Sequence, residues 1–213
     1  MNFAQILIYI HAAFGGIALL MGTLAIIFRK GSSKHKKSGL YFFYCMTVSA
    51  FLALIIAFLP GHYSPFLFSI GLFGLYFLIT GFTALRYKRK VKTVMPEIVM
   101  NCTMIGICLG MVVLPILFQG NSNTVLLVFG LFGLLAAINT LRSLLHKTTL
   151  RKRWLRMHLG NMMGGYIAAF TAFIVVNQVL PGLLNWFAPG IIGGFYIWYW
   201  MRKTRSGKKP ATK

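Results

Sequence analysis

Acidic residues are almost absent from this chain, since Glu97 is the single aspartate or glutamate among its 213 residues. Proton pumps and metal hydrolases that place aspartate inside a membrane are therefore not indicated. The chain also lacks a Walker loop and a nucleophile elbow, so neither nucleotide-driven transport nor serine hydrolysis is supported. Its three cysteines form no C-x-x-C pair, which argues against thiol redox chemistry.

Positive charge is abundant and confined to four short clusters. All 22 lysines and arginines lie within residues 29–37, 86–92, 142–156 and 202–213. Basic residues in short loops stay on the cytoplasmic side during membrane insertion, so the clusters predict loops that all face the cytoplasm and attract anionic lipids. Nucleic-acid binding is not indicated, because it requires basic residues on a folded face with interleaved aromatic residues.

Seven apolar runs separate these clusters, at about residues 4–28, 38–59, 66–85, 94–118, 124–145, 157–180 and 187–201. Most have the roughly 20 residues that a hydrocarbon core of about 30 Å requires. We therefore predict an all-α, multi-pass protein of the cell inner membrane. Residues 1–201 form a seven-helix transmembrane domain, and residues 202–213 form a basic cytoplasmic tail. With an odd number of crossings, the N-terminus is outside and the C-terminus inside.

Two halves of the chain show a weak repeat. Residues 71–75 and 130–134 share the sequence GLFGL, and Leu-Pro-Gly occurs at both 59–61 and 180–182. In each half the Leu-Pro-Gly follows a histidine, His35 or His158, by a similar number of residues. This pattern predicts a 3+1+3 arrangement of parallel halves, as in some transporters.

The five histidines, His11, His35, His62, His146 and His158, are the main candidates for chemistry. His11 lies inside the first apolar run, where a polar ring is costly unless it has a partner or a function. Small residues follow His11 and His158 along one helix face, which leaves either a groove for a haem or a surface for close helix packing. These stripes are Gly15, Ala18 and Gly22 after His11, and Met162, Gly165, Ala169 and Ala172 after His158.

The depths of the histidines limit how a haem can be bound. His11 and His158 differ in depth by roughly 20 Å, so one iron cannot hold both. A bis-histidine scheme therefore pairs His11 with His62, and His158 with His35 or His146. We predict His11 and His158 as ligands of haem b, with His35 next, although His35 stands among lysines, where a histidine is usually solvated.

A second hypothesis is a divalent transition-metal site. Glu97 lies near the cytoplasmic start of the fourth run, on the same side as His35, His146 and His158. Three histidines and one carboxylate could ligate such a metal with an open position for water. The alternative is that Glu97 caps its helix and pairs with a neighbouring arginine or lysine.

Two stretches of the chain resemble known proteins. The sequence HAAFGGIALLMG at 11–22, followed by HKKSG at 35–39, is similar to an uncharacterised family of small prokaryotic predicted multi-spanning membrane proteins, as is HLGNMMGGYIAAFTAF at 158–173. More distantly, a histidine, a glycine-rich helix, a lysine turn and a second histidine resemble the opening of membrane b-type cytochromes. This resemblance implies haem ligation and electron transfer.

These patterns favour a histidine-centred haem or metal site that serves membrane redox chemistry. One alternative is a small-solute transporter or channel whose polar lining comes from Asn101, Asn139, Asn161, Asn177 and Gln178. Another is a non-catalytic membrane subunit whose basic face binds lipid or an acidic partner. A homo-oligomer and a complex with a partner membrane subunit are both compatible with the sequence, which does not decide whether the protein is an enzyme.

Overall fold

The computed structural model describes residues 2–89, 93–119 and 124–205, and these residues are almost entirely helical. The α-helices in this part of the chain are α1 Phe3–Ile27, α2 Ser33–Ile56, α3 Pro65–Thr83, α4 Met95–Gln119, α5 Thr124–Leu145, α6 Lys147–Val176 and α7 Leu184–Arg205. A short 3-10 helix, Ala84–Lys88, continues α3. The all-α class and the seven predicted helices are thus confirmed.

Polar residues fix where the first three helices begin. Asn2 caps α1 in a reciprocal pair with Gln5, in which each side chain accepts from the other residue's backbone N–H. Ser32 accepts from the backbone N–H of His35 at the start of α2, and Ser64 caps α3 ahead of a proline in its first turn. Each cap satisfies a backbone donor that the helix itself leaves unpaired.

Several helices extend beyond the apolar runs that predicted them. Helix α2 begins at Ser33, α6 begins at Lys147 in the middle of a basic cluster, and α7 continues to Arg205, which includes the start of the predicted tail. Lysine and arginine are good helix formers, so an apolar run marks the segment that can lie in lipid rather than the whole helix. Residues 206–213 of the tail lie outside the described residues.

Six helices in the described ranges are long and apolar enough to cross a membrane, as expected of a multi-pass membrane protein. They are α1, α2, α3 with its 3-10 extension, α4, α5 and the part of α6 from Leu150 onward. Helix α7 is not one of the six, because Asn185, Pro189 and its glycine, tryptophan and tyrosine residues make it less apolar than the others. Its crossing of the membrane therefore stays a prediction.

Helices α3 and α6 form the centre of the bundle. Half of the apolar segment of α3 is buried, compared with 17% for α1. Helix α6 packs against both α3 and α7, while α1 pairs mainly with α2 and α4 with α5. In the predicted repeats, α1 and α5 are the first helices of the two halves. Helix α1 packs mainly on α2, the next helix of its half, whereas α5 packs on α4 more than on α6. The two halves therefore differ in packing, and the duplication stays a prediction.

The outer helices present large apolar side chains away from the bundle. Phe118 on α4 is 82% exposed and Ile192 on α7 is 71% exposed, and similar side chains project outward along α1, α2 and α5. Water would penalise apolar area of this extent. A hydrocarbon solvent would not, so this surface agrees with a position in the bilayer.

The described residues of the basic clusters lie at one end of the bundle, which we call the basic end. There Lys88 of the 3-10 helix contacts Trp154 near the start of α6, and Lys30 after α1 contacts Trp200 near the end of α7. The turns at residues 57–64 and 177–183 lie at the opposite end, which we call the neutral end.

Candidate histidine site

Three histidines in the bundle make the same kind of hydrogen bond to a neighbouring helix. The Nδ1 atoms of His11, His35 and His158 each lie 2.9 Å from a backbone carbonyl oxygen, that of Ser49, Ala25 and Gly81 respectively. A carbonyl oxygen only accepts, so Nδ1 must carry the proton. In a neutral imidazole this tautomer leaves the lone pair on Nε2, where a metal ion or haem iron binds.

His11 belongs to a self-contained contact between α1 and α2. The hydroxyl of Ser49 donates to the backbone carbonyl of His11 at 3.0 Å and lies 3.0 Å from its Nδ1. Ser49 is buried, and Gly15, one turn after His11, makes room for its hydroxyl. The imidazole is therefore fixed by a polar contact between two helices, which by itself accounts for its position inside the bundle.

His35 begins α2 at the basic end and lies against the last turn of α1. The carbonyl oxygen of Ala25 accepts from both His35 Nδ1, at 2.9 Å, and Lys30 Nζ, at 3.2 Å. Lys30 also donates to the carbonyl of Ile26, and burial lowers the pKa of its ammonium group. The expectation that His35 is simply solvated is wrong, because its ring is partly buried and held by a carbonyl of α1.

His158 lies where α6 crosses α3. A side chain at Gly81 would come within 2.9 Å of the backbone nitrogen of Met162, so glycine is what allows the two helices to approach. The same approach brings the Gly81 carbonyl to the His158 ring. His158 follows the basic cluster at the start of α6, so it lies toward the basic end, as His35 does.

Lys88 is held beside His158 by an aromatic ring. Its ammonium nitrogen lies 4.3 Å from the centre of the Trp154 ring, and Trp154 precedes His158 by one turn of α6. Residues four apart on a helix are neighbours on its surface. Lys88 is therefore held over a ring one turn from His158, and Lys30 is held on the same carbonyl as His35.

The predicted four-residue metal site is not assembled. No group of three or more histidine, cysteine or acidic side chains is positioned to hold a metal among residues 2–89, 93–119 and 124–205. Glu97 is buried in the first turn of α4 and forms an ion pair with Arg86 at 3.3 Å, the arrangement considered as the alternative. His146 stands at the N-cap position of α6 and is exposed, as is His62 in the turn after α2.

Neighbouring side chains occupy the small-residue faces beyond His11 and His158. A methyl group at Gly22 would lie 2.6 Å from the Tyr166 ring, and one at Gly165 would lie 3.5 Å from Leu78. Ala18 is fully buried. These stripes are therefore surfaces of close helix packing, and the space that a flat ring would need along them is taken.

Two of the asparagines considered for a polar channel, Asn101 and Asn177, form bonds within the bundle. Buried Asn101 accepts from the Tyr76 hydroxyl at 2.7 Å and donates to the Glu97 backbone carbonyl at 2.7 Å. Asn177 donates to the Phe173 carbonyl one turn earlier. These contacts join helices or end them, so none of them favours a transport pathway.

Sequence reasoning did not predict that Lys30 shares a carbonyl with His35 or that Lys88 lies over Trp154. Both lysines indicate membrane sidedness, and nothing in their spacing shows that they approach His35 and His158. The aromatic residues that hold them, Trp154 and Trp200, are distant in sequence from both. No protein-family model matches the chain, and no curated protein or solved structure matches it either.

Proposed function

We propose that this protein is a seven-crossing protein of the inner membrane that binds haem b through His35 and His158 and serves membrane redox chemistry. What supports the proposal is that His35 and His158, both toward the basic end, each have Nδ1 bound to a backbone carbonyl of a neighbouring helix. When bound, haem b supplies a one-electron couple between ferric and ferrous iron.

The hydrogen bonds at Nδ1 fit the requirements of a ligand. Histidines that ligate metals almost always donate their other ring N–H to a carbonyl, a carboxylate or water, which fixes the tautomer and makes the ligating nitrogen more basic. His35 and His158 meet this requirement with the carbonyls of Ala25 and Gly81. Because the stripes beyond His11 and His158 are closed by packing, the ligand lies at the basic end rather than along the helix faces.

Spectroscopy of the purified protein tests the proposal. The protein is extracted in mild detergent, supplemented with haem, and examined by absorption spectroscopy and metal analysis. We expect one haem per chain, with the low-spin spectrum of a haem held by two imidazoles. A preparation that stays colourless after supplementation would refute haem binding, and stoichiometric zinc, copper or iron without haem would indicate a bare metal instead.

Single variants assign the ligands. His158→Ala is expected to abolish the low-spin spectrum, because it removes one axial nitrogen. His146→Ala is the matched control, since this histidine is near the start of the same helix but is exposed. Equal loss of the spectrum in both variants would contradict the assignment of His158.

The proposed topology has the basic end in the cytoplasm and all seven helices crossing, with 3+1+3 halves. It is supported by the basic clusters at one end and by the apolar outward face of α7 at Ile191, Ile192 and Phe195. A reporter that works only in the cytoplasm should be active when it is fused after Lys213, and a reporter that works only in the periplasm should be inactive there. A periplasmic signal would contradict the proposed topology. Either α7 would not cross the membrane, or the basic end would not face the cytoplasm.

A further inference from the structure

The outer face of α7 carries a shallow groove, which we call the α7 groove. Its floor is Gly190 and Gly194, and a methyl group added at either glycine would meet no atom of the described residues within 4 Å. The rest of its lining is apolar and consists of Ile191, Phe195 and Trp198. Gly193 differs from the two floor glycines, because a methyl group there would collide with Ile167 of α6. Gly193 therefore serves packing within the bundle, whereas the floor glycines face outward.

Two adjacent rows of side chains form the groove and continue to the basic end. Residues four apart on a helix are neighbours on its surface. The first row is Gly190, Gly194, Trp198 and Arg202, and the second is Ile191, Phe195, Tyr199 and Lys203. Each row spans about 18 Å of helix, compared with about 15 Å for one leaflet of the hydrocarbon core. The groove and its continuation thus have the length of one lipid leaflet.

Each row ends in a cation that lies against the aromatic ring one turn earlier. The guanidinium carbon of Arg202 lies 4.3 Å from the centre of the Trp198 ring, and Lys203 Nζ lies 5.7 Å from the centre of the Tyr199 ring. Tryptophan and tyrosine are enriched at the level of the lipid headgroups. Because Arg202 and Lys203 are consecutive residues, both positive charges stand at this level, at the end of the groove.

The charge at the end of the groove decides which occupant it fits. Outward glycines four apart are typical of helix dimers in membranes, so a second copy is the first alternative. A parallel copy of α7 would bring the cations of the two chains together, and each chain has a formal charge of +21. An anionic phospholipid instead supplies an acyl chain for the apolar groove and a phosphate for the cations. The lipid is therefore favoured.

We propose that the outer face of α7 binds one anionic phospholipid, with an acyl chain in the α7 groove and the headgroup phosphate at Arg202 and Lys203. A guanidinium has five N–H donors and an ammonium group has three. Charge-assisted bonds from such groups to a phosphate are stronger than neutral hydrogen bonds. The inference goes beyond the haem site and requires only that the outer face of α7 lies in the bilayer.

Native mass spectrometry of the purified full chain tests the inference. The protein in mild detergent is titrated with phosphatidylglycerol or with phosphatidylcholine of the same acyl chains, and the bound lipids are counted. We expect one phosphatidylglycerol per chain. It should bind at least about tenfold more tightly than phosphatidylcholine, because each basic residue near a headgroup contributes about fivefold.

A charge variant and a matched control locate the headgroup. Arg202→Gln with Lys203→Gln should bind the two lipids with similar affinity, because both cations at the end of the groove are lost. Lys36→Gln with Lys37→Gln removes the same charge from exposed positions of α2, also at the basic end, and should keep the preference for phosphatidylglycerol. Equal loss of the preference in both variants would refute a site at α7.

A second pair of variants locates the acyl chain. Gly194→Leu fills the floor of the α7 groove, and it should weaken binding of phosphatidylglycerol by about threefold or more, because the chain loses its contacts there. Gly106→Leu is the control, since this glycine of α4 also has no described atom within 4 Å of an added methyl group. It should leave lipid binding unchanged.

The possible results separate this inference from its alternatives and from the proposed function. Equal affinity of the wild-type protein for the two lipids would refute the role of the cations. A protein that is dimeric in detergent and becomes monomeric in Gly194→Leu would show that the groove holds a second copy, and would refute lipid binding there. All measurements use protein without added haem, so their failure leaves the haem proposal standing, and a failure of haem binding leaves the lipid site standing. The comparison of the two lipids on the wild-type protein decides the matter even if a variant fails to fold.

Discussion

The hairpin of α1 and α2 is joined by a histidine toward each of its ends, and the two contacts are reciprocal. His11 of α1 bonds to the Ser49 carbonyl of α2, and His35 of α2 bonds to the Ala25 carbonyl of α1, both at 2.9 Å. In each helix the histidine and the accepting residue are about fourteen residues apart, which is roughly 20 Å of helix. The depth difference expected between outer and inner histidines therefore has a structural counterpart within one hairpin.

The surroundings of the two contacts differ more than the contacts themselves. Around His11 the hydroxyl of Ser49 completes the polar contact, and the adjacent Gly15 faces that hydroxyl. Around His35 the half-buried ammonium of Lys30 shares the Ala25 carbonyl with the imidazole. A carbonyl bond to Nδ1 thus orients an imidazole for ligation, but it also serves simple helix packing. What distinguishes the His35 contact is the ammonium group of Lys30, which shares the same carbonyl acceptor.

The largest expected effect is on haem binding. His35→Ala should weaken haem binding by more than about a hundredfold, because an axial ligand is lost and only one imidazole remains. His11→Ala, which removes the equivalent residue of the other contact, should leave the dissociation constant within about twofold. Titration of both variants with haem measures this difference. Equal loss in the two variants would show that the two ends are not functionally distinct.

An intermediate effect is expected on stability at two glycines of α1. Gly22→Ala would place a methyl group 2.6 Å from the Tyr166 ring and 3.0 Å from Phe42, so these rings or α1 itself must shift. Overpacking of this kind costs about 1–3 kcal/mol. At Gly15 the neighbouring atom is the Ser49 hydroxyl at 3.0 Å, which can rotate, so Gly15→Ala should cost less. Thermal unfolding in detergent would rank the two variants.

Gly16→Ala is the control for both glycine variants. No atom lies within 4 Å of a methyl group added there. Replacing glycine by alanine in a helix is worth about 0.5–1 kcal/mol through backbone entropy alone, so this variant should be slightly more stable than the wild type. If Gly22→Ala behaved like Gly16→Ala, the close approach of α1 to Tyr166 would be refuted.

The helices could be predicted from the sequence, but the contacts around the histidines could not. Apolar runs between basic clusters predicted each helix to within a few residues at most ends, because lipid requires long apolar segments with internal hydrogen bonding. The positions of His11 and His158 within their apolar runs also predicted that the two histidines lie at different depths. The exception at the start of α6 arises because Lys147–Val176 is helical well before it becomes apolar.

Local patterns could not show what meets across the bundle. The small-residue stripe after His11 has the same sequence whether it faces a ligand or a neighbouring helix, and only the position of Tyr166 shows that it is packed. Likewise, Lys30 in a basic cluster is indistinguishable from its solvated neighbours until the fold brings it to Ala25 and Trp200. Such contacts depend on which helices pack against one another, and local patterns in the sequence do not show this.

The smallest expected effect concerns the serine that completes the His11 contact. Ser49→Ala removes the hydroxyl bond to the His11 carbonyl but keeps the 2.9 Å bond from His11 Nδ1 to the backbone. Interhelical hydrogen bonds in membrane proteins are worth about 0.6 kcal/mol on average, so the loss of stability should be of that size. Ser38→Ala is the matched control, because this buried serine bonds within its own helix, to the Lys34 and His35 carbonyls, and should change stability less. A loss of haem binding in Ser49→Ala would connect the two ends of the hairpin and contradict the view that the His11 contact is structural alone.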